Sequence, residues 1–121
     1  MDAPVTLVLG ASLNPARYSN LAVRSLRQHE QRVVAVGLRE GMIGDVPVVR
    51  DIPPDMAIHT VTLYLNARNQ EAWWERLLAL HPKRIIFNPG AENPALAAEA
   101  VRQGVAVEDA CTLVMLSTGQ Y

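Results

Sequence analysis

The residues best suited to chemistry lie in "GASLNPARYSN", positions 10–20. An aliphatic run, Val5 to Leu9, stops at Gly10, and a helical pattern begins near Ser19. A glycine there lets the chain turn sharply. Ala11 and Ser12 are small enough for a ligand to reach the backbone. Ser12, Asn14 and Ser19 offer hydroxyl and amide groups, Asn14-Pro15 makes a turn, and Asn20 falls in the first helical turn. A helix N-terminus presents free N–H groups and a partial positive charge, which suits phosphate, and Arg17 adds a full charge. The chemistry on offer is the grip of a pyrophosphate by side chains and backbone together, with one glycine where a dinucleotide fingerprint has three. The plain alternative is a turn followed by a helix cap.

A second loop narrows the ligand. Dinucleotide folds usually place a carboxylate after the second strand, for the ribose hydroxyls. Here the residues are Val36-Gly37-Leu38-Arg39-Glu40. Arg39 comes first and suits a phosphorylated ribose, as in NADP or coenzyme A. A third loop, "FNPGAEN" at 87–93, makes a rigid turn at Asn88-Pro89-Gly90 before Glu92 and Asn93 lead into a helix. Glu92 is either a helix-start carboxylate or a polar wall of the site.

No catalytic constellation accompanies these loops. His29, His59 and His81 fall away from the proposed crevice, and no pair has metal-ligand spacing. Tyr18 and Tyr64 are the tyrosines near candidate loops, and neither is paired with Lys83, the one lysine. Cys111 is read as a packing residue; a mixed disulfide with a ligand thiol would need both sulfurs in one crevice. No catalytic and no metal-binding residue is expected.

These loops need a scaffold. Val5 to Leu9 reads as a buried strand, because it is nearly continuous in apolar residues; Arg32 to Val36 reads as a second buried strand, and Thr60 to Leu65 and Arg84 to Phe87 as two more strands. A helix from Ser19 as N-cap to about Glu30 would face inward with Leu21, Ala22 and Leu26. Arg24, Arg27 and Gln28 would lie outside. Gly41 to Pro54 reads as a loop with a short extended piece at Val46 to Val49. Asn69 would cap a helix through Leu80, with Trp73, Leu77 and Leu80 at helical spacing and Trp73 and Trp74 against the sheet or a partner. Asn93 and Pro94 open the next helix and Gly104 closes it. Val105 to Val107 is a last strand. Thr112 to Leu116 is read as a terminal helix capped by Asp109, with a strand as the alternative.

Strands alternating with helices across short loops predict an α/β fold, a Rossmann-like three-layer sandwich with a mostly parallel sheet. Ligands of such sheets bind past the carboxyl ends of the strands. Gly10 to Asn14, Gly37 to Arg39, Asn66 and Asn88 to Asn93 would meet there.

The chain has 121 residues, 50% hydrophobic and 19% charged, with a net charge of −1. That is one domain, 1–121, able to bury its own core. The charge gives no reason to expect nucleic acid or an anionic membrane as partner. The apolar runs are too short to cross a bilayer. Met1 to Pro4 lacks the basic start of a secretory signal, and the single cysteine suits a reducing cytoplasm. A homo-oligomer is open, with Trp73, Trp74 and the apolar C-terminus as one possible contact.

The segments "GASLNPARYSN" (10–20), "VTLYLNARNQ" (61–70), "RIIFNPGAENP" (84–94) and "EDACTLVMLSTGQY" (108–121) together resemble the stand-alone CoA-binding domain proteins of bacteria. Those are similar to the N-terminal nucleotide-binding domain of the succinyl-CoA synthetase alpha subunit. The resemblance implies a Rossmann-type fold and coenzyme A as ligand. It puts Gly10, Ala11, Ser12, Asn14, Pro15, Arg17, Ser19 and Asn20 on the phosphate loop. It puts Gly37 and Arg39 at the adenosine end, Asn66 after a central strand, and Asn88, Pro89 and Gly90 on the opposite wall. Members often have Asn-Pro before the basic residue, where this chain has Gly37-Leu38. Nothing resembles the synthetase's phosphohistidine domain. The reading is a small non-catalytic domain that binds coenzyme A or acyl-CoA as a carrier, a sensor or a detached enzyme module. The alternatives are a small NADP-dependent oxidoreductase and an interaction scaffold with a vestigial pocket.

Overall fold

The computed structural model describes residues 4–121; Met1 to Ala3, part of the stretch read for a secretory start, lie outside them. Seven strands form one sheet in the order β3-β4-β2-β1-β5-β6-β7. They are β1 (Val5–Leu9), β2 (Arg32–Val36), β3 (Gly41–Ile43), β4 (Val46–Val49), β5 (Thr60–Leu63), β6 (Arg84–Phe87) and β7 (Ala106–Asp109). All neighbours are parallel except β3 and β4. The helices are α1 (Tyr18–Gln28), α2 (Ala67–Gln70), α3 (Trp74–Ala79), α4 (Pro94–Arg102) and α5 (Thr112–Ser117). This is a Rossmann-like α/β sandwich.

The unbroken apolar strands follow from burial on both faces. Val5, Leu7 and Leu9 of β1 pack with Leu77 and Leu78 of α3 and Leu96 and Ala100 of α4. Val8 points the other way, to Val23 and Leu26 of α1 and Leu116 of α5. Each such aliphatic side chain contributes roughly 1.5–3 kcal/mol. Trp73 and Trp74 are half-buried against the first cluster.

Several boundaries differ from the sequence reading, each for a local reason. Ser19 is not the N-cap of α1. The Asn14 side chain accepts from Ala16 N–H at 3.0 Å, and Asn14 C=O from Arg17 N–H at 3.0 Å. That turn starts the helix two residues sooner, with Arg17 in the cap position. Its inner stripe is Ser19, Ala22, Val23 and Leu26, while Leu21, opposite them on the helix, is 40% exposed.

The loop read at 41–54 contains a hairpin. Gly44, at φ +59°, turns β3 into β4, and β4 joins β2 in parallel through Val36 and Val49. β5 ends at Leu63 rather than Leu65, and Asn66, not Asn69, caps the next helix, accepting from Asn69 N–H at 2.8 Å. The helix expected through Leu80 is three pieces: α2, a single 3₁₀ turn at Glu71–Trp73, and α3. β7 is shifted to 106–109, so Asp109 belongs to a strand and Cys111 holds the cap position of α5. Asn93 caps α4 as expected, accepting from Leu96 N–H at 3.2 Å.

Candidate functional site

β1 sends the chain through α1 to β2 on one side, and β5 lies on its other side. Between these departing loops a crevice must open at the strand tips. The cleft found there encloses about 730 Å³, a size that suits a small-molecule ligand. Its floor is Leu9 to Ser12, Val36 and Gly37; its walls come from the start of α1, from Asn66 and Asn69, and from Pro89 to Ala91.

The floor depends on close backbone contact. Gly10 N–H and Ala11 N–H both donate to Val36 C=O at 2.9 Å. Gly10 sits at φ +97°, where a side chain is strained. A Cβ on Gly37 would lie 2.1 Å from Ala11 C=O, so only glycine lets the two loops touch. The backbone N–H groups of Tyr18 and Ser19 have no hydrogen-bond partner among the described residues.

A buried polar layer fixes the loops from below. Asn20 donates to Ser12 C=O at 2.9 Å and accepts from Arg24 at 2.8 Å. Asn88 donates to Thr62 Oγ1 at 2.6 Å and Leu63 C=O at 2.9 Å, and accepts from Thr112 N–H at 2.9 Å. Gln70, fully buried, donates to Leu65 C=O at 2.8 Å and Ala91 C=O at 2.7 Å. Its oxygen accepts from Asn93 at 2.9 Å. It thereby ties the two walls of the cleft together.

Of the residues singled out from sequence, Gly10, Ala11, Ser12, Arg17, Ser19, Gly37, Arg39, Asn66, Pro89 and Gly90 border the cleft. Asn14, Pro15, Asn20 and Asn88 do not: Asn14 and Pro15 make the turn before α1, and the amides of Asn20 and Asn88 are engaged within the chain. Glu92 accepts from Gly90 N–H at 2.8 Å and holds that turn rather than forming a wall. Cys111 is half-buried at the start of α5 and does not border the cleft, so the thiol-to-thiol idea loses its shared crevice.

Arg50, Leu38, Tyr18, Asn69 and Trp73 also border it. Arg50 was hidden because it follows β4, whose extended piece the sequence showed but whose place beside β2 it did not. Gln70 had no local signal, because its partners lie on other loops.

The lining holds three arginines, Arg17, Arg39 and Arg50, and no carboxylate, imidazole, thiol or amine. Four arginines elsewhere are ion-paired: Arg27 with Asp45 at 2.7 Å, Arg76 with Asp51 at 2.5 Å, Arg84 with Glu108 at 3.7 Å, and Arg102 with Glu99. The three in the cleft have no such partner among the described residues. A second depression, of about 480 Å³, is edged by Glu71, Glu75 and Arg76 and shares no residue with the cleft.

His59, His81 and Lys83 precede strands and so lie on the opposite rim, as does His29 after α1. Tyr64 borders the cleft, but its hydroxyl is buried without a hydrogen-bond partner. The nearby Thr62 and Thr112 hydroxyls bond each other at 2.8 Å. Burial, with the neighbouring Cys111 thiol adding to it, pushes the phenol up to about 12, despite the opposing pull of the two threonines. No group of three or more metal-ligating side chains occurs among the described residues. No helix there is long and apolar enough to cross a membrane.

A Rossmann-like sheet with a basic cleft at its switch point is the class this geometry defines. The model of the CoA binding domain family matches residues 5–117, and the chain belongs to that family. It is 37% identical to an uncharacterized protein known from its crystal structure, over 100% of both chains, with a TM-score of 0.93. Cell-free ID.343 from Thermus thermophilus is 22% identical, over 98% of this chain and 91% of that one, with a TM-score of 0.85. A dinucleotide forming acetyl-coenzyme A synthetase 1 from Ca. Korarchaeum cryptofilum, solved with phosphate and ADP, shares the fold. It is 16% identical over 85% of this chain and 25% of that chain, with a TM-score of 0.67. No curated protein matches the chain.

Proposed function

We propose that the protein binds coenzyme A or an acyl-CoA at the strand tips and performs no chemistry of its own, serving as a carrier, a sensor or a module of a larger enzyme. One observation carries the reading: three arginines without carboxylate partners border a cleft that lacks acids and bases, in a chain of net charge −1. The pyrophosphate would rest on Ser12, Ser19 and the start of α1, with Arg17 beside it. Arg39 would meet the ribose phosphate. Gly10, Ala11 and Gly37 would form the floor, and Asn66, Pro89 and Gly90 would flank the pantetheine arm. Asn14, Pro15, Asn20 and Asn88 would shape the site without touching the ligand. A reducing cytoplasm suits both the ligand thiol and Cys111.

An NADP-dependent oxidoreductase draws less support, because Tyr64 buries its hydroxyl and Lys83 lies on the far rim. Calorimetry with CoA, dephospho-CoA and NADP tests the proposal. CoA should bind most tightly, with dephospho-CoA about tenfold or more weaker. Equal affinity for the two removes the role of Arg39, and no CoA binding removes the whole reading. Tighter NADP binding would favour the oxidoreductase.

A further inference from the structure

Arg50 stands where no acidic residue neutralises it, although one lies next to it in the chain. Asp51 is occupied: it pairs with Arg76 at 2.5 Å and accepts from Ile52 N–H at 2.9 Å. The position of Arg50 follows from the sheet. Val36 and Val49 are register partners at the tips of β2 and β4, and Gly37 N–H donates to Val49 C=O at 2.9 Å. Arg50 therefore emerges beside Gly37, two residues from Arg39, and both arginines border the cleft. Arg17 enters the cleft from a different element, at the start of α1.

Two guanidinium groups that enter one cleft from the loops after neighbouring strands favour an anion between them. The anion that suits them is a phosphomonoester. It carries close to two negative charges at neutral pH, and its oxygens accept paired N–H bonds from each planar fork. A pyrophosphate diester bears one charge per phosphorus and is served by α1 and Arg17.

We propose that Arg50 is a specificity-determining residue that, with Arg39, clamps the ribose phosphate of the ligand. The cleft would thereby select coenzyme A over nucleotides that lack that group. This rests on the coenzyme A reading, and its test separates the two. Affinities for CoA and dephospho-CoA are measured by calorimetry on the full chain and on Arg50→Gln and Arg50→Lys. Arg50 is exposed, so both variants should melt as the unaltered protein does.

Arg50→Gln should weaken CoA about 10- to 100-fold, the range of a charged hydrogen bond. It should change dephospho-CoA by less than about twofold, so that the preference shrinks. Arg50→Lys, which keeps charge but loses the fork, should fall between. An unchanged CoA to dephospho-CoA ratio in Arg50→Gln, whether both affinities hold or both fall together, overturns the role of Arg50 and leaves CoA binding standing. Failure of the unaltered protein to bind CoA overturns both.

Discussion

The polar residues around the cleft divide into two layers. Beneath it, Asn20, Gln70 and Asn88 are buried, and every one is engaged in hydrogen bonds with backbone or side chains of the same chain. At its surface, Arg17 and Arg39 have no partner in the described chain, and Asn66 spends its oxygen on a helix cap. The same loops supply both layers. Buried polar groups must be paired or they cost stability, so the lower layer is fixed as the chain folds. The upper layer faces water and keeps its hydrogen-bonding capacity for a ligand. Changes below should therefore cost stability first, and changes above should cost affinity alone.

The strongest way to break that division is at the boundary itself. Gly37→Ala drives a methyl into Ala11 C=O at 2.1 Å. It should cost about 3 kcal/mol and abolish CoA binding, read by thermal melting and calorimetry. Normal binding would mean that the two loops need not touch. Gln70→Ala leaves two carbonyls and the Asn93 amide without their partner, and should cost about 2–3 kcal/mol. Affinity should then fall because the walls of the cleft are no longer tied.

Above the boundary, Arg39→Ala should weaken CoA about 10- to 100-fold while the melting temperature holds. Arg27→Ala, at an exposed pair with Asp45 outside the cleft, should leave affinity unchanged and serves as the control. An equal loss in both would reduce the site to net charge.

The smallest effect at neutral pH is expected at Tyr64. Its phenol ionises near 10 when unfolded and about 12 when folded. Between those values the unfolded chain alone sheds its proton, so stability falls as pH rises. Below about 10 the contribution is intact. Tyr64→Phe should be close to neutral at pH 7, since the hydroxyl has no partner. It should also remove that alkaline loss, on the order of 2 kcal/mol, as followed by denaturant unfolding at several pH values.

The sheet was legible because both faces are covered. That burial makes β1, β2 and β6 rich in aliphatic residues and lets β5 alternate threonine with valine and leucine, and Gly10 and Gly37 mark where two of them stop. The hairpin of β3 and β4 was not. Its strands are three and four residues long, interrupted by Gly44 and Pro47, and their chemistry resembles that of a loop. Missing the hairpin hid Arg50, whose place in the cleft exists only because β4 lies beside β2.

Asn66 and Asn69 were equally able to cap a helix by type; the end of β5 at Leu63 decided between them. Asn14, Asn20 and Asn88 were visible as polar residues near the site. Which amide serves the fold and which faces the cleft depends on partners such as Thr112 and Ser12 that only the tertiary structure brings near. Gln70 was missed for the same reason.

A crystal structure with coenzyme A tests the central claim most directly. The account predicts the pyrophosphate at the start of α1 beside Arg17, the ribose phosphate against Arg39, and the pantetheine arm running past Asn66 and Gly90. Ligand density elsewhere on the molecule, or a cleft left empty at saturating ligand, would contradict it.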